Sequence, residues 1–145
     1  MSAEKKPVVA ITIGDPAGIG PEITVATMMD KSVYDECKPF LIGSVPIISR
    51  AMKIMGCDFA IHKIAHPQEA RFSWGPLDVL ETGDYDCDSI EWGKVQKLAG
   101  QMALDYVMKS IELGKAGLID VVSTAPIHKE AIKLAGCKLP GHTEI

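Results

Sequence analysis

The sequence contains very little arginine and no long apolar run. It has 145 residues and a net charge of −4, and Arg50 and Arg71 are its only arginines. Nucleic-acid-binding domains usually carry a clustered basic stripe, which is missing here. No stretch approaches the roughly 18 apolar residues of a membrane span, and residues 1–6 lead into a strand pattern without the apolar core of a signal peptide. We therefore expect a cytoplasmic protein that binds neither nucleic acid nor membrane.

The four cysteines also lack a metal-binding arrangement. No C-x-x-C pair occurs and no histidine stands at zinc-finger spacing, so we expect reduced, partly buried thiols. Residues 81–91 are rich in acids, but Ser89 stands where a calcium loop requires glycine. We interpret this acidic segment as a solvated loop before a helix, and we expect no metal site within the chain.

What is present is a glycine- and proline-rich loop between a strand pattern and a helix pattern. Residues 7–13 are mostly β-branched and apolar, which predicts a buried strand, and Pro21 suits the first turn of a following helix. The loop at 14–20 has three glycines, but it matches neither the dinucleotide fingerprint G-x-G-x-x-G nor the phosphate loop G-x-x-x-x-G-K-[ST]. Free N–H groups at a helix N-terminus favour an anion, and the alternative is a tight turn without a ligand.

Asp15 limits which ligand this loop would take. Its carboxylate would repel phosphate unless it caps an N–H or contacts a hydroxyl or ammonium group. A hydroxylated or amino-bearing ligand therefore fits as well as a phosphate. Because glycine lets a backbone approach a ligand closely, we expect Gly18→Val or Gly20→Val to impair ligand binding more than folding.

A second strand-to-helix turn occurs at residues 124–129. Ligands of open α/β sheets bind outside the carboxyl ends of the strands, where both turns fall, so Thr124, His128 and Lys129 become site candidates. For Lys129 the alternative is a solvated helix residue. A last turn carries His142 and Thr143 directly after a proline–glycine pair. An imidazole beside a hydroxyl can bind a phosphate or polarise a carbonyl group.

Strand and helix patterns alternate along the chain, which predicts a doubly wound α/β domain with a mainly parallel sheet. A chain of this size buries one core, so one domain is expected. The predicted strands are residues 7–13, 40–43, 59–64, 77–80 and 120–123. Of these, residues 77–80 are a candidate edge strand and residues 120–123 a buried strand. The predicted helices are residues 22–29, 46–55, 93–113 and a last one that ends at 135–136.

Three stretches together resemble the 4-hydroxythreonine-4-phosphate dehydrogenase family of vitamin B6 biosynthesis and its catabolic relatives. They are G-D-P-A-G-I-G-P-E at 14–22, T-A-P-I-H-K at 124–129 and P-G-H-T-E at 140–144. The resemblance implies a fold similar to isocitrate and isopropylmalate dehydrogenases, with two α/β subdomains and an active site completed by a partner subunit. It thus implies a homodimer in which residues 1–145 form an N-terminal portion, without the family's C-terminal half.

The resemblance also implies chemistry and site residues. Family members use NAD or NADP to oxidise the hydroxyl of a phosphorylated hydroxy acid such as 4-phosphohydroxythreonine, and the β-keto product can lose CO2. A divalent metal ion (Zn, Mg or Co) polarises that hydroxyl. His142 and Thr143 match the family's substrate-binding pair. Asp15 and Lys129, the cleft candidates that the two turns provide, are not part of that match. The metal ligands would lie beyond residue 145, so we expect this chain alone to be catalytically incomplete.

Other functions remain open at this point. Catabolic relatives would oxidise 4-phospho-D-threonate or 4-phosphoerythronate instead of the biosynthetic substrate. A hydroxy-acid dehydrogenase of the isocitrate type is disfavoured, because its loop is the shorter G-D-G-I-G-P-E and this chain adds Pro16 and Ala17. A non-catalytic fragment that keeps a ligand cleft is the third alternative.

Overall fold

A computed structural model describes residues 6–136 of the 145. The strands are β1 (Val8–Thr12), β2 (Lys38–Gly43), β3 (Ile61–Ile64), β4 (Leu77–Glu81) and β5 (Val121–Thr124). The helices are α1 (Gly20–Met29), α2 (Val33–Glu36), α3 (Val45–Met55), α4 (Lys97–Lys115) and α5 (Lys129–Leu134). Short 3-10 turns occur at Pro67–Glu69 and Cys87–Ser89. No helix within 6–136 is long and apolar enough to cross a bilayer.

The five strands form one sheet in the order β3-β4-β2-β1-β5, and every pairing is parallel. α1 packs on α3, and α4 packs on α5. Because strand–helix–strand crossovers are right-handed, these two helix pairs cover opposite faces of the sheet. The predicted doubly wound α/β fold is confirmed.

Two sequence-based strand assignments were wrong in position. β4 lies inside the sheet between β3 and β2, whereas we expected an edge strand. β5 lies at an edge of the described sheet, and Val121 and Val122 are exposed rather than buried. Both strands are short apolar runs, and such a run does not reveal which neighbours it pairs with.

The core lies between the sheet and its helices. The central strand β2 contributes Phe40, Leu41 and Ile42, all fully buried. From α4, the hydroxyl of the fully buried Tyr106 bonds to the hydroxyl of Ser44, directly after β2. Burial on both faces is typical of a parallel sheet.

The order of the strands creates a topological switch point beside β1. From β1 the chain continues to β2 on one side, and it later returns from β4 to β5 on the other side. The carboxyl ends of β1 and β5 therefore border a crevice from which the connections leave in opposite directions. This is where open α/β sheets bind their ligands.

Candidate functional site

The two turns predicted from the sequence lie side by side at this switch point. The N–H of Ala125 donates to the carbonyl of Thr12 at 3.1 Å, and the N–H of Asp15 donates to the carbonyl of Pro126 at 3.1 Å. Gly14 has a φ of 76°, and a Cβ there would lie 2.4 Å from the Pro126 oxygen. Glycine is therefore required at this position, because the two backbones approach too closely for any side chain.

Gly18 and Gly20, which we expected to act alike, have different surroundings. A Cβ on Gly20 would lie 2.3 Å from the carbonyl oxygen of Ile13, so Gly20 allows α1 to pack against the end of β1. A Cβ on Gly18 would meet nothing closer than 3.6 Å. For Gly20 the geometry favours a loss of stability instead, because a Cβ there would collide with backbone of the fold rather than with a ligand. For Gly18 the expected loss of ligand binding stays a prediction.

A cavity of about 300 Å³ opens between the two turns. Its walls come from three segments, residues 15–19, 93–95 and 126–128. Much of the lining is apolar, including Ile19 and Val95, while polar groups come from Asp15, Lys94 and His128. A concave, mainly apolar pocket with a few polar groups is typical of small-molecule sites, and this volume is at the lower end of their range.

Asp15 is the buried acid of this pocket, with only 5% of its surface exposed. One carboxylate oxygen accepts a hydrogen bond from the N–H of Ala17 at 2.8 Å. Burial raises the pKa of Asp15, while that hydrogen bond and the nearby His128 imidazole counteract the rise. The carboxylate caps an N–H, as the sequence reasoning required, and its remaining lone pairs can accept a hydrogen bond from a hydroxyl or ammonium group.

The other sequence-based candidates are placed less favourably or lie outside the described residues. Lys129 is the first residue of α5, is exposed and does not line the cavity, whereas the preceding His128 does. His142 and Thr143 lie outside residues 6–136, so their role stays a prediction. Sequence reasoning missed Lys94 and Val95. Apolar residues recur every three or four positions from Val95 onward, so we placed both residues in the helix predicted at 93–113, whereas α4 begins only at Lys97.

Within residues 6–136, no three histidine, cysteine or acidic side chains are grouped so that they could hold a metal ion. In the acidic segment, Glu81 instead accepts a hydrogen bond from the N–H of Val45 at 2.7 Å, at the start of α3. The described cysteines, Cys37, Cys57 and Cys87, are free and half-buried. The divalent metal implied by the resemblance therefore does not fit the described part of the chain.

Known proteins match both the sequence and the fold. The family model described as "Pyridoxal phosphate biosynthetic protein PdxA" matches residues 35–145. A Clostridium botulinum protein, provisionally named D-threonate 4-phosphate dehydrogenase, is 40% identical over 140 residues, and a Symbiobacterium thermophilum protein of the same name is 39% identical over 142. Each match covers 97% or more of this chain and 42% of the relative.

A solved structure agrees with this assignment. The crystal structure of a 4-hydroxythreonine-4-phosphate dehydrogenase from Burkholderia phymatum matches with a TM-score of 0.91 at 39% identity. It covers 96% of this chain, and the chain covers 42% of it. The chain thus spans less than half the length of the relatives that it matches. Because the family model matches most of the sequence and the solved relative shares its fold, the chain belongs to the PdxA family.

Proposed function

We propose that this chain contributes to a dehydrogenase that uses NAD or NADP to oxidise the hydroxyl of a phosphorylated hydroxy acid. The observation that carries the proposal is the cavity at the β1/β5 switch point, two of whose three walls belong to stretches that carry the family resemblance. Relatives at about 40% identity are named as dehydrogenases of such substrates. The proposal concerns the whole protein, to which residues 1–145 contribute.

The groups lining the cavity suit a small polar acid. The Asp15 carboxylate would accept a hydrogen bond from a substrate hydroxyl and hold it against the apolar wall. His128 can donate to a negatively charged oxygen when it is protonated. Lys94 is less available, because its ammonium already pairs with Glu91 at 2.6 Å. His142 and Thr143 would bind the phosphate.

The cofactors are proposed from the family resemblance, since no residue described here identifies them. NAD or NADP would accept the hydride, but a cavity of about 300 Å³ suits a small substrate or one ring of a dinucleotide better than a whole dinucleotide. Zn, Mg or Co would be bound by residues beyond this chain. A cytoplasmic homodimer with active sites shared between subunits completes the proposal.

Two substrates compete within this reaction class. The family description and the solved relative favour 4-phosphohydroxythreonine and a place in pyridoxal phosphate biosynthesis, with loss of CO2 from the β-keto product. The names of the curated relatives favour the catabolic alternative, oxidation of 4-phospho-D-threonate. Both substrates offer a hydroxyl to Asp15 and a phosphate to the predicted histidine–threonine pair.

A substrate panel tests the proposal. The protein as its source produces it, containing residues 1–145, is assayed with NAD or NADP on the two phosphorylated acids, on 4-phosphoerythronate and on the matching dephosphorylated acids. We expect reduced nicotinamide with a phosphorylated acid, loss of activity with a chelator, and a kcat/KM at least about 100-fold lower without the phosphate. Absence of turnover with every phosphorylated acid would refute the proposal.

A parallel assay of the 145-residue chain alone tests whether its own residues suffice for metal-dependent oxidation. We expect no metal-dependent oxidation by this chain, because residues 6–136 provide no set of metal ligands. Turnover by the isolated chain that a chelator abolishes would show that its own residues bind the metal.

A further inference from the structure

Arg50 joins two walls of the cavity without lining it. From α3, its Nη2 donates a hydrogen bond to the carbonyl of Pro16 at 2.7 Å, on the loop that carries Asp15. The carbon of the same guanidinium lies 4.9 Å from the ring centroid of Trp92, directly before the wall at 93–95. One side chain thus contacts the 15–19 loop and Trp92, the residue directly before the 93–95 wall.

A backbone hydrogen bond links the same two walls. The N–H of Gly93 donates to the carbonyl of Ala17 at 2.8 Å. Arg50, Pro16, Ala17, Trp92 and Gly93 form one connected unit, which we call the Arg50 clamp. No member of the clamp is close in sequence to all the others, so the clamp forms only when α3 is folded onto the sheet.

The chemistry of arginine suits this position. Only two of the 15 basic residues of the chain are arginines, and the remaining 13 are lysines. A planar guanidinium can donate in its plane to a carbonyl while its face stacks on an indole ring, whereas an ammonium cannot do both in a fixed geometry. Pro16 is buried, so loss of the donor would leave its carbonyl without a partner.

We infer that Arg50 is a positioning residue: it fixes the spacing between the 15–19 and 93–95 walls and thereby sets ligand affinity without contacting the ligand. The inference rests on the proposed function in that it takes the cavity as the ligand site. Asp15 would offer the ligand a hydrogen bond from this loop, and a hydrogen bond weakens steeply once its distance and angle depart from the optimum. A shift of the Asp15 loop would therefore weaken ligand binding, and the loss would appear in KM.

Hydrogen exchange tests the clamp without any ligand. The amides of Ala17, Gly18 and Gly93 are each bonded within or between the two walls. In the whole protein, Arg50→Met should speed exchange at these amides at least about tenfold, while amides of β2 and α4 keep their rates. Arg50→Lys should fall between, because it keeps a donor and loses the planar stack. Unchanged exchange at all three amides in Arg50→Met would overturn the inference.

Kinetics then test the effect on the ligand. Arg50→Met should raise KM for the phosphorylated acid at least about tenfold with a smaller change in kcat, and Arg50→Lys should recover part of the loss. The matched control is Arg71→Met, since Arg71 is exposed and its backbone N–H, not its guanidinium, bonds to Asp78. The control should leave KM and the three exchange rates unchanged.

Gly18→Val separates failure of this inference from failure of the proposed function, because it acts on the cavity directly. If Gly18→Val raises KM and Arg50→Met does not, the cavity is the ligand site and the positioning role of Arg50 is wrong. If neither variant changes KM in an active enzyme, the cavity is not the ligand site, and both the cavity assignment and the inference fail.

Discussion

The N–H of Asp15 donates to the carbonyl of Pro126 at 3.1 Å, which ties the glycine-rich loop after β1 to the turn after β5. These residues are separated by more than a hundred positions in the sequence. Their contact brings the acid of the first turn and His128 of the second into the lining of one cavity. The candidate site is therefore a product of the parallel pairing of β1 and β5.

The first prediction concerns Gly20. Gly20→Ala should lower the free energy of unfolding by about 1–3 kcal/mol, because its Cβ would lie 2.3 Å from the carbonyl oxygen of Ile13. Gly18→Ala serves as the control and should change stability little, since its Cβ meets nothing closer than 3.6 Å. Urea unfolding of the two variants measures the difference. Equal stabilities would show that the loop backbone relaxes around a Cβ at residue 20.

A second prediction concerns the contact of α4 with α5. A Cβ on Gly100 would lie 2.0 Å from the carbonyl oxygen of Ala131, so Gly100→Ala should destabilise the fold by about 1–3 kcal/mol. Gly114→Ala in the same helix is the matched control, because nothing lies within 4 Å of its Cβ. The control should stabilise by about 0.5–1 kcal/mol through helix propensity. Thermal unfolding of both variants should therefore shift in opposite directions.

A third prediction follows from the burial of Asp15. Burial raises the pKa of Asp15 above its ordinary value of 3.8. The folded state therefore binds the proton of the Asp15 carboxyl group more tightly than the unfolded state does. Asp15 therefore destabilises the fold increasingly as pH rises from 3.8 through the folded pKa. Asp15→Asn keeps an acceptor for the N–H of Ala17 and removes the charge. It should stabilise the fold at neutral pH, and this gain should disappear below pH 3.8.

Asp30 offers a control of opposite sign for the same experiment. Hydrogen bonds from the Ser32 side chain and N–H lower the pKa of Asp30, so its contribution to stability is present above its ordinary pKa and is lost on acidification. Asp30→Asn should accordingly reduce stability at neutral pH. Unfolding curves at several pH values measure both variants. A stability gain for Asp15→Asn that does not change with pH would contradict the assigned cause.

The sequence was sufficient to locate both turns, because their glycines, prolines and small polar residues reflect local backbone requirements. It was insufficient for properties that depend on neighbours. Val95 continues the apolar spacing of α4, yet Gly93, with a φ of 75°, lies outside the helix and Val95 lines the cavity instead. Periodicity reports that a side chain is apolar and not what it packs against.

Arg50 also shows that sequence patterns do not identify contact partners. The scarcity of arginine in the sequence was evident, but the partner of Arg50, Pro16, lies 34 residues away and on another element. Similarly, Ser44 precedes α3 as an N-cap residue, yet its hydroxyl bonds to Tyr106, and Glu81 binds the N–H of Val45 instead. Each of these contacts requires the strand order of the sheet, which local patterns do not specify.

A fourth prediction concerns His142 and Thr143 in the whole enzyme. A charge-assisted hydrogen bond contributes about 1.5–3 kcal/mol, so His142→Ala should lower kcat/KM by about 10- to 150-fold. Thr143→Val removes the hydroxyl and keeps the shape, so its effect should be smaller. Metal content of both variants should stay close to that of the parent enzyme. Loss of the metal from a folded His142→Ala enzyme would make the histidine a metal ligand instead.

The central claim is that the cavity between the two turns binds the substrate, and KM of the Gly18→Val enzyme tests it most directly. Gly18 lines the cavity, so a valine at residue 18 would add bulk to the lining, while its Cβ has room in the fold. We expect KM for the phosphorylated acid to rise at least about tenfold at a nearly unchanged melting temperature, with the parent KM retained by Gly114→Val. An unchanged KM in a folded, active Gly18→Val enzyme would contradict the account.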